Sequence, residues 1–295
     1  MTEIFGIPTA ALLGQLLLGL VNGSFYAILS LGLAVIFGML NIVNFAHGAL
    51  YMAGAFFAWM LLNYAGLNYW YALILAPLGV GLIGVLIEKT MLRWLHQLDH
   101  LYGLLLTFGL ALLLEGVFRE FYGSSGMPYE LPAVFRGAYD VGFMMLPKYR
   151  AWVVVVSIVL CLFTWYVIEK TKLGAYLRAG TENPNLVKAF GINVPLMVTL
   201  TYAFGVALAG LAGVMAAPIY QVSPLMGSNI IIVVFAVVVI GGMGSILGSI
   251  VTGIALGLIE GLTKVFYAEI SSTVVFIIMA IVLMVRPAGL FGREK

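Results

Sequence analysis

Residues 169–194 read EKTKLGAYLRAGTENPNLVKAFGINV, a polar stretch set between two of the most apolar segments of the chain. It gathers Lys170, Lys172, Arg178 and Lys188 against only Glu169 and Glu182, and loops rich in Lys and Arg are retained on the cytoplasmic side of a membrane. Both ends of a short helix are marked within it. Asn183 suits the N-cap, Pro184 fits the first helical position where a missing N–H costs nothing, and Gly191 can take the left-handed conformation that ends a helix. Leu186, Val187, Ala189 and Phe190 supply apolar surface between those caps. A short capped helix in a basic cytoplasmic loop is shaped to dock into a groove on a soluble partner, although a long loop also uses such a helix simply to satisfy its backbone.

Outside this loop the chain is greasy. Of its 295 residues 63% are hydrophobic and 9% charged, with a mean hydropathy of +1.12, whereas soluble globular chains carry about 25% charged residues. The expectation is an all-α integral membrane protein, a polytopic helical bundle. At about 20 residues per span the length leaves room for roughly eight to ten spans in a single domain over residues 1–295. Basic residues cluster in particular loops and form no surface stripe, so nucleic acid is not an expected partner. Cys161 falls in an apolar run and reads as a packing residue. Met1 to Thr9 has no basic segment and leads into an apolar run too long for a signal peptide.

From Ala10 to Leu40 the sequence is nearly unbroken apolar residues and glycines, interrupted by Gln15, Asn22, Ser24 and Ser30. Asn41, Asn44 and His47 follow, and such side chains are costly in hydrocarbon unless they find partners or line a wet cavity. On a helix starting near Asn44, that residue, His47 and Tyr51 would share one face. With Asn22 and Asn41 they are the candidates for a translocation path, and the same groups could instead bond backbone carbonyls and hold neighbouring helices together.

Glu88, Lys89 and Arg93 close the next span on the basic, cytoplasmic side. His96 and His100 are spaced i, i+4 but lack the further ligands of a metal site, so a solvated loop is expected. Glu115 and Arg119 read as an interfacial ion pair, and Glu260 with Lys264 as another. Residues 123–150, with Pro128, Pro132 and Pro147, form an external segment where a binding protein could be received. Gly205, Ala209 and Gly213 repeat every four residues and predict a close-packing helix face. The run IIIVVFAVVVI from Ile230 is β-branched, but a lone strand in lipid leaves its backbone unsatisfied, so helix is expected. Gly241, Gly242, Gly244 and Ser245 break that run as a re-entrant bend or a junction of half-helices. No Gly-Lys-Ser/Thr follows to build a phosphate loop. With the amino terminus outside and the carboxyl terminus in the cytoplasm, every basic loop falls inside.

Several of these stretches together resemble the permease subunits of ABC importers for branched-chain amino acids. The resemblance is carried by Arg178, Ala179, Glu182, Asn183, Pro184, Leu186, Gly191 and Ile192 in the loop, and by Asn22-Gly-Ser-Phe-Tyr-Ala27, Gly32 to Gly38 and Asn44-Phe-Ala-His-Gly48 with Tyr51 and Gly54. Gly241, Gly242, Gly244, Ser245 and Gly248, then Gly257, Glu260, Gly261 and the Arg286 to Gly292 tail, extend it to nearly the whole chain. It implies a bacterial inner-membrane protein working with a second related permease, two ATPase subunits and a periplasmic binding protein. ATP and Mg would be used on the ATPases and no cofactor bound by this chain, which would itself hydrolyse nothing. Residues 169–194, through Arg178, Glu182, Asn183, Pro184, Leu186, Phe190 and Gly191, would supply the coupling helix on the ATPases; Val187 stands where a smaller residue is expected. The contrasting expectation is an ion-coupled transporter or channel that acts alone, in which the polar loop merely connects two halves.

Overall fold

The structure, a computed structural model, describes residues 3–4, 7–40, 42–95 and 98–292. Asn41, His96, Arg293 and Lys295 lie outside the described residues. A two-residue antiparallel pair, β1 (Glu3–Ile4) with β2 (Ile7–Pro8), precedes α1 (Thr9–Leu40) and α2 (Ala46–Asn63). Then come α3 (Tyr69–Ile87), a π-helical turn at Glu88–Leu92, α4 (Arg93–Leu95) and α5 (His100–Tyr122). The external segment holds only a hairpin, β3 (Ala138–Asp140) with β4 (Met145–Pro147), and a short 3-10 turn. The remainder is α6 (Lys148–Lys170), α7 (Lys172–Glu182), α8 (Pro184–Ala189), α9 (Val194–Tyr220), α10 (Met226–Gly241), α11 (Ile246–Phe266) and α12 (Val274–Val285).

The fold class is the expected one. Among the described residues six helical stretches are long and apolar enough to cross a membrane: α1, α3 through to Leu95, α5, α6, α9 and α11. Against the eight to ten spans expected, α2, α10 and α12 are apolar but shorter. At 1.5 Å per residue the last two reach only about 24 and 18 Å of a hydrocarbon layer about 30 Å thick. The β-branched run is helix, as backbone satisfaction in lipid requires.

The chain forms two compact units: residues 1–30, 131–161 and 233–295 in one, residues 31–130 and 162–232 in the other. In the first, α1 meets α11 through glycines. A Cβ on Gly19 would come within 2.5 Å of the Gly257 carbonyl, and one on Gly253 within 2.7 Å of the Ala27 nitrogen. Backbones therefore touch directly, as small residues four apart allow. Glu260 accepts from Tyr26 at 2.7 Å and pairs with Lys264 at 2.5 Å, the structural role its spacing predicted. The glycine break is a tight turn between two helices: Gly242 and Gly244 take φ of 97° and 85°, and Ser245 caps α11 by accepting from Gly248 N–H at 3.1 Å. The tail returns to this break, where Leu290 and Phe291 N–H groups satisfy the Ile240 and Gly241 carbonyls at the end of α10.

In the second unit α9 packs against α2 and α3 around Leu50, Val80, Tyr202 and Val206. The Gly205, Ala209 and Gly213 face is buried as its spacing predicted. A Cβ on Gly54 would overlap the Gly210 backbone, and one on Gly213 the Tyr51 carbonyl.

Candidate functional site

The loop of residues 169–194 is built from its ends. α6 stops at Lys170, and α7, a helix the sequence reading did not anticipate, turns back on it. Arg178 anchors that return by donating to the Ile168 carbonyl at 3.2 Å, with Glu169 3.4 Å away. Only glycine fits at position 174, because a Cβ there would overlap the same carbonyl. Leu173 and Leu177, one turn apart, were the available signal for α7: both line an apolar cleft of about 250 Å³ with Met197 and Phe204.

α8 follows with the predicted caps in place. Asn183 Oδ1 accepts from Leu186 N–H at 3.0 Å, Pro184 opens the helix, and Gly191 closes it at φ 80°. Its apolar residues divide by direction. Val187 is 5% exposed and seats the helix on its own chain, whereas Leu186 is 55% and Phe190 77% exposed. Glu182 is exposed as well. Of the residues singled out in this loop, Leu186 and Phe190 offer surface; Asn183, Pro184 and Gly191 shape the helix; and Arg178 fixes α7 beside it.

The second candidate cluster lies where α1 passes to α2. The helix begins at Ala46, so Asn44 stands before it, its carbonyl accepting from His47 N–H at 3.3 Å. Asn44 and His47 are fully buried and Tyr51 nearly so. The Asn44 Nδ2 donates to the Tyr202 hydroxyl at 3.2 Å, while its Oδ1 has no hydrogen-bond partner among the described residues. The His47 ring lies beside Gly32, where a Cβ would come within 3.0 Å of it. These groups join helices in this conformation. The opposite face of α2, with Gly48, Ala49 and Met52, lines a groove of about 70 Å³ closed by α5 and Ile231. Glu115 borders it and forms the expected pair with Arg119 at 2.6 Å. Asn22 lies on the part of α1 that belongs to the first unit and is half-buried. Two partners of this cluster escaped the sequence reading: Thr107 and Tyr202. Thr107 accepts from Phe45 N–H at 3.2 Å, and its hydroxyl lies 3.1 Å from the Val43 carbonyl. Hydroxyls inside apolar helices were the signal that could have found them.

Comparison with known proteins decides what these features belong to. Residues 15–283 match the family described as branched-chain amino acid transport system / permease component. The chain belongs to that family. The permease protein LivH of the high-affinity branched-chain amino acid transport system of Escherichia coli (strain K12) is 29% identical, the match covering 96% of each chain. BraD of Pseudomonas aeruginosa, from a system of the same description, is 30% identical with the same coverage. LivM of Escherichia coli is 29% identical over 92% of this chain and 68% of its own. Membership in this permease family and the long apolar helices make the chain a multi-pass membrane protein. They agree with the resemblance read from the loop and the amino-terminal motifs.

Proposed function

We propose that this chain is one of the two membrane-spanning subunits of an ATP-driven importer for branched-chain amino acids, residing in the inner (plasma) membrane with its amino terminus outside and its carboxyl terminus in the cytoplasm. Its partners are a second permease related to it, two ATPase subunits that bind ATP and Mg, and a periplasmic binding protein received at residues 123–150. The observation that carries this reading is α8: a capped helix held by one buried residue, with Leu186 and Phe190 turned outward. Exposed large apolar side chains on a short, shaped helix favour a groove on a partner. Closure of the ATPases around ATP displaces α8, and α9, which follows it after four residues, transmits the movement to α2 and α3. Asn44, His47 and Tyr51 then border the path in the state where α2 is displaced, and Asn22 and Asn41 are path candidates by sequence alone. By linkage, the ATPases can shift the path only as far as they favour one state over the other.

The test is reconstitution. Vesicles holding the complete assembly and a leucine-loaded binding protein should accumulate leucine only with ATP present. A cysteine in place of Leu186 should cross-link to an ATPase subunit. Leucine uptake by the permease without any ATPase subunit would overturn the reading.

A further inference from the structure

Glu88 is a buried carboxylate directly after α3. By sequence it is one of the charges, with Lys89 and Arg93, that end a span. In the structure it is 2% exposed, held in the π-helical turn of residues 88–92, where Arg93 N–H reaches back to its carbonyl. A carboxylate is retained in such a place only with partners, and π turns recur at functional positions. The partner here is the Thr199 hydroxyl, 2.5 Å from Glu88 Oε2 and itself 5% exposed. Thr199 lies in the second turn of α9, and Tyr202, three residues on, shares its face and receives the Asn44 Nδ2 at 3.2 Å. One face of α9, just beyond α8, thus holds both the end of α3 and the connection that leads into α2.

We propose that Glu88 and Thr199, with Tyr202 and Asn44, form a latch that makes α2 and α3 follow α9 when α8 moves. The packing of these helices shows what the latch adds. α9 meets α2 through glycine and backbone, Gly210 on Gly54 and Gly213 on Tyr51. Such faces bring helices close, and the side chains seated beside them, Val80 against Gly210 and Val206 against Gly84, are apolar and carry no directional bond. A hydrogen bond to a carboxylate supplies one. Glu88 and Thr199 act through helix position and touch no solute; they are positioning residues.

The inference rests on α8 being the ATPase contact, so its test reports on each separately. In the complete assembly with Cys161→Ser, a single cysteine from Val43→Cys, half-buried on the α1–α2 connection, is labelled by a maleimide before and after trapping with ATP and vanadate. Trapping should change the labelling rate, and Thr199→Val, which removes only the hydroxyl, should shrink that change about tenfold while ATP hydrolysis persists. Glu88→Ala should match it, Glu88→Gln, which keeps an acceptor oxygen, should retain most of the response, and the double variant should lose no more than either single. If Glu88→Ala does not assemble, Thr199→Val carries the test. An undiminished response in Thr199→Val, multiplying losses in the double variant, or no response in the native assembly overturns the latch. Failure of a Leu186→Cys cross-link to the ATPases overturns the α8 reading instead.

Discussion

The α1–α2 junction and α8 are both short, polar-flanked turns of chain, yet the polar side chains of one are buried against other helices while the largest apolar side chains of the other face outward. At the junction Asn44 and Thr107 are buried and meet partners on other helices. α8 has the reverse character: its caps are local, Val187 alone is buried, and its largest apolar side chains face outward. The lesson is that local chemistry can complete a helix without completing a surface. Phe190 stays 77% exposed, so the docking proposed for α8 would supply contacts that this chain does not.

The two regions should therefore respond to substitution in opposite ways. The largest effect is expected from Leu186→Asp combined with Phe190→Asp. Uptake in vesicles and co-purification of the ATPase subunits should fall on the order of a hundredfold, with the thermal midpoint of the purified permease unmoved. A lowered midpoint would mean that α8 belongs to the fold after all. Next is Gly54→Leu, whose side chain must enter the Gly210 backbone. About 3 kcal/mol of stability should be lost, read as failure of the protein to survive detergent extraction and heating. Tyr202→Phe deprives a buried amide of its acceptor and should cost about 2 kcal/mol by the same assay; an unchanged midpoint would show the junction to be as open as α8. Smallest is Asn183→Ala, the loss of one N-cap, worth about 1 kcal/mol of α8 helicity. It should appear as a several-fold fall in uptake per ATP hydrolysed and leave chain stability alone, and loss of folded protein would contradict the division drawn above.

What could be read from sequence follows the same line. Caps, small-residue repeats and i, i+4 ion pairs are local signals, and Asn183, Gly191, Gly205, Ala209, Gly213, Glu115 and Glu260 stand as their spacing requires. Partnerships between distant helices leave no local trace. Glu88 looks like any interfacial charge until Thr199, 111 residues later, is brought against it. Nor could spacing say that Val187 would turn inward while Leu186 beside it turned out, because a six-residue helix is oriented by its seat and not by its own periodicity. α7 was missed for a related reason: its apolar face is only Leu173, Leu177 and the gap that Gly174 leaves for the end of α6.

Val187 has a mechanical consequence. It is the one buried residue of α8 and lies near its middle, so under the proposed docking a force at Leu186 and Phe190 would tip the helix about that point more readily than translate it. Beyond Gly191, Ile192 N–H bonds back to the Val187 carbonyl and Asn193 caps α9. Under the proposed coupling, a tilt imposed on α8 from outside would therefore reach α9 through a connection of only four residues, 190–193, that is itself hydrogen-bonded.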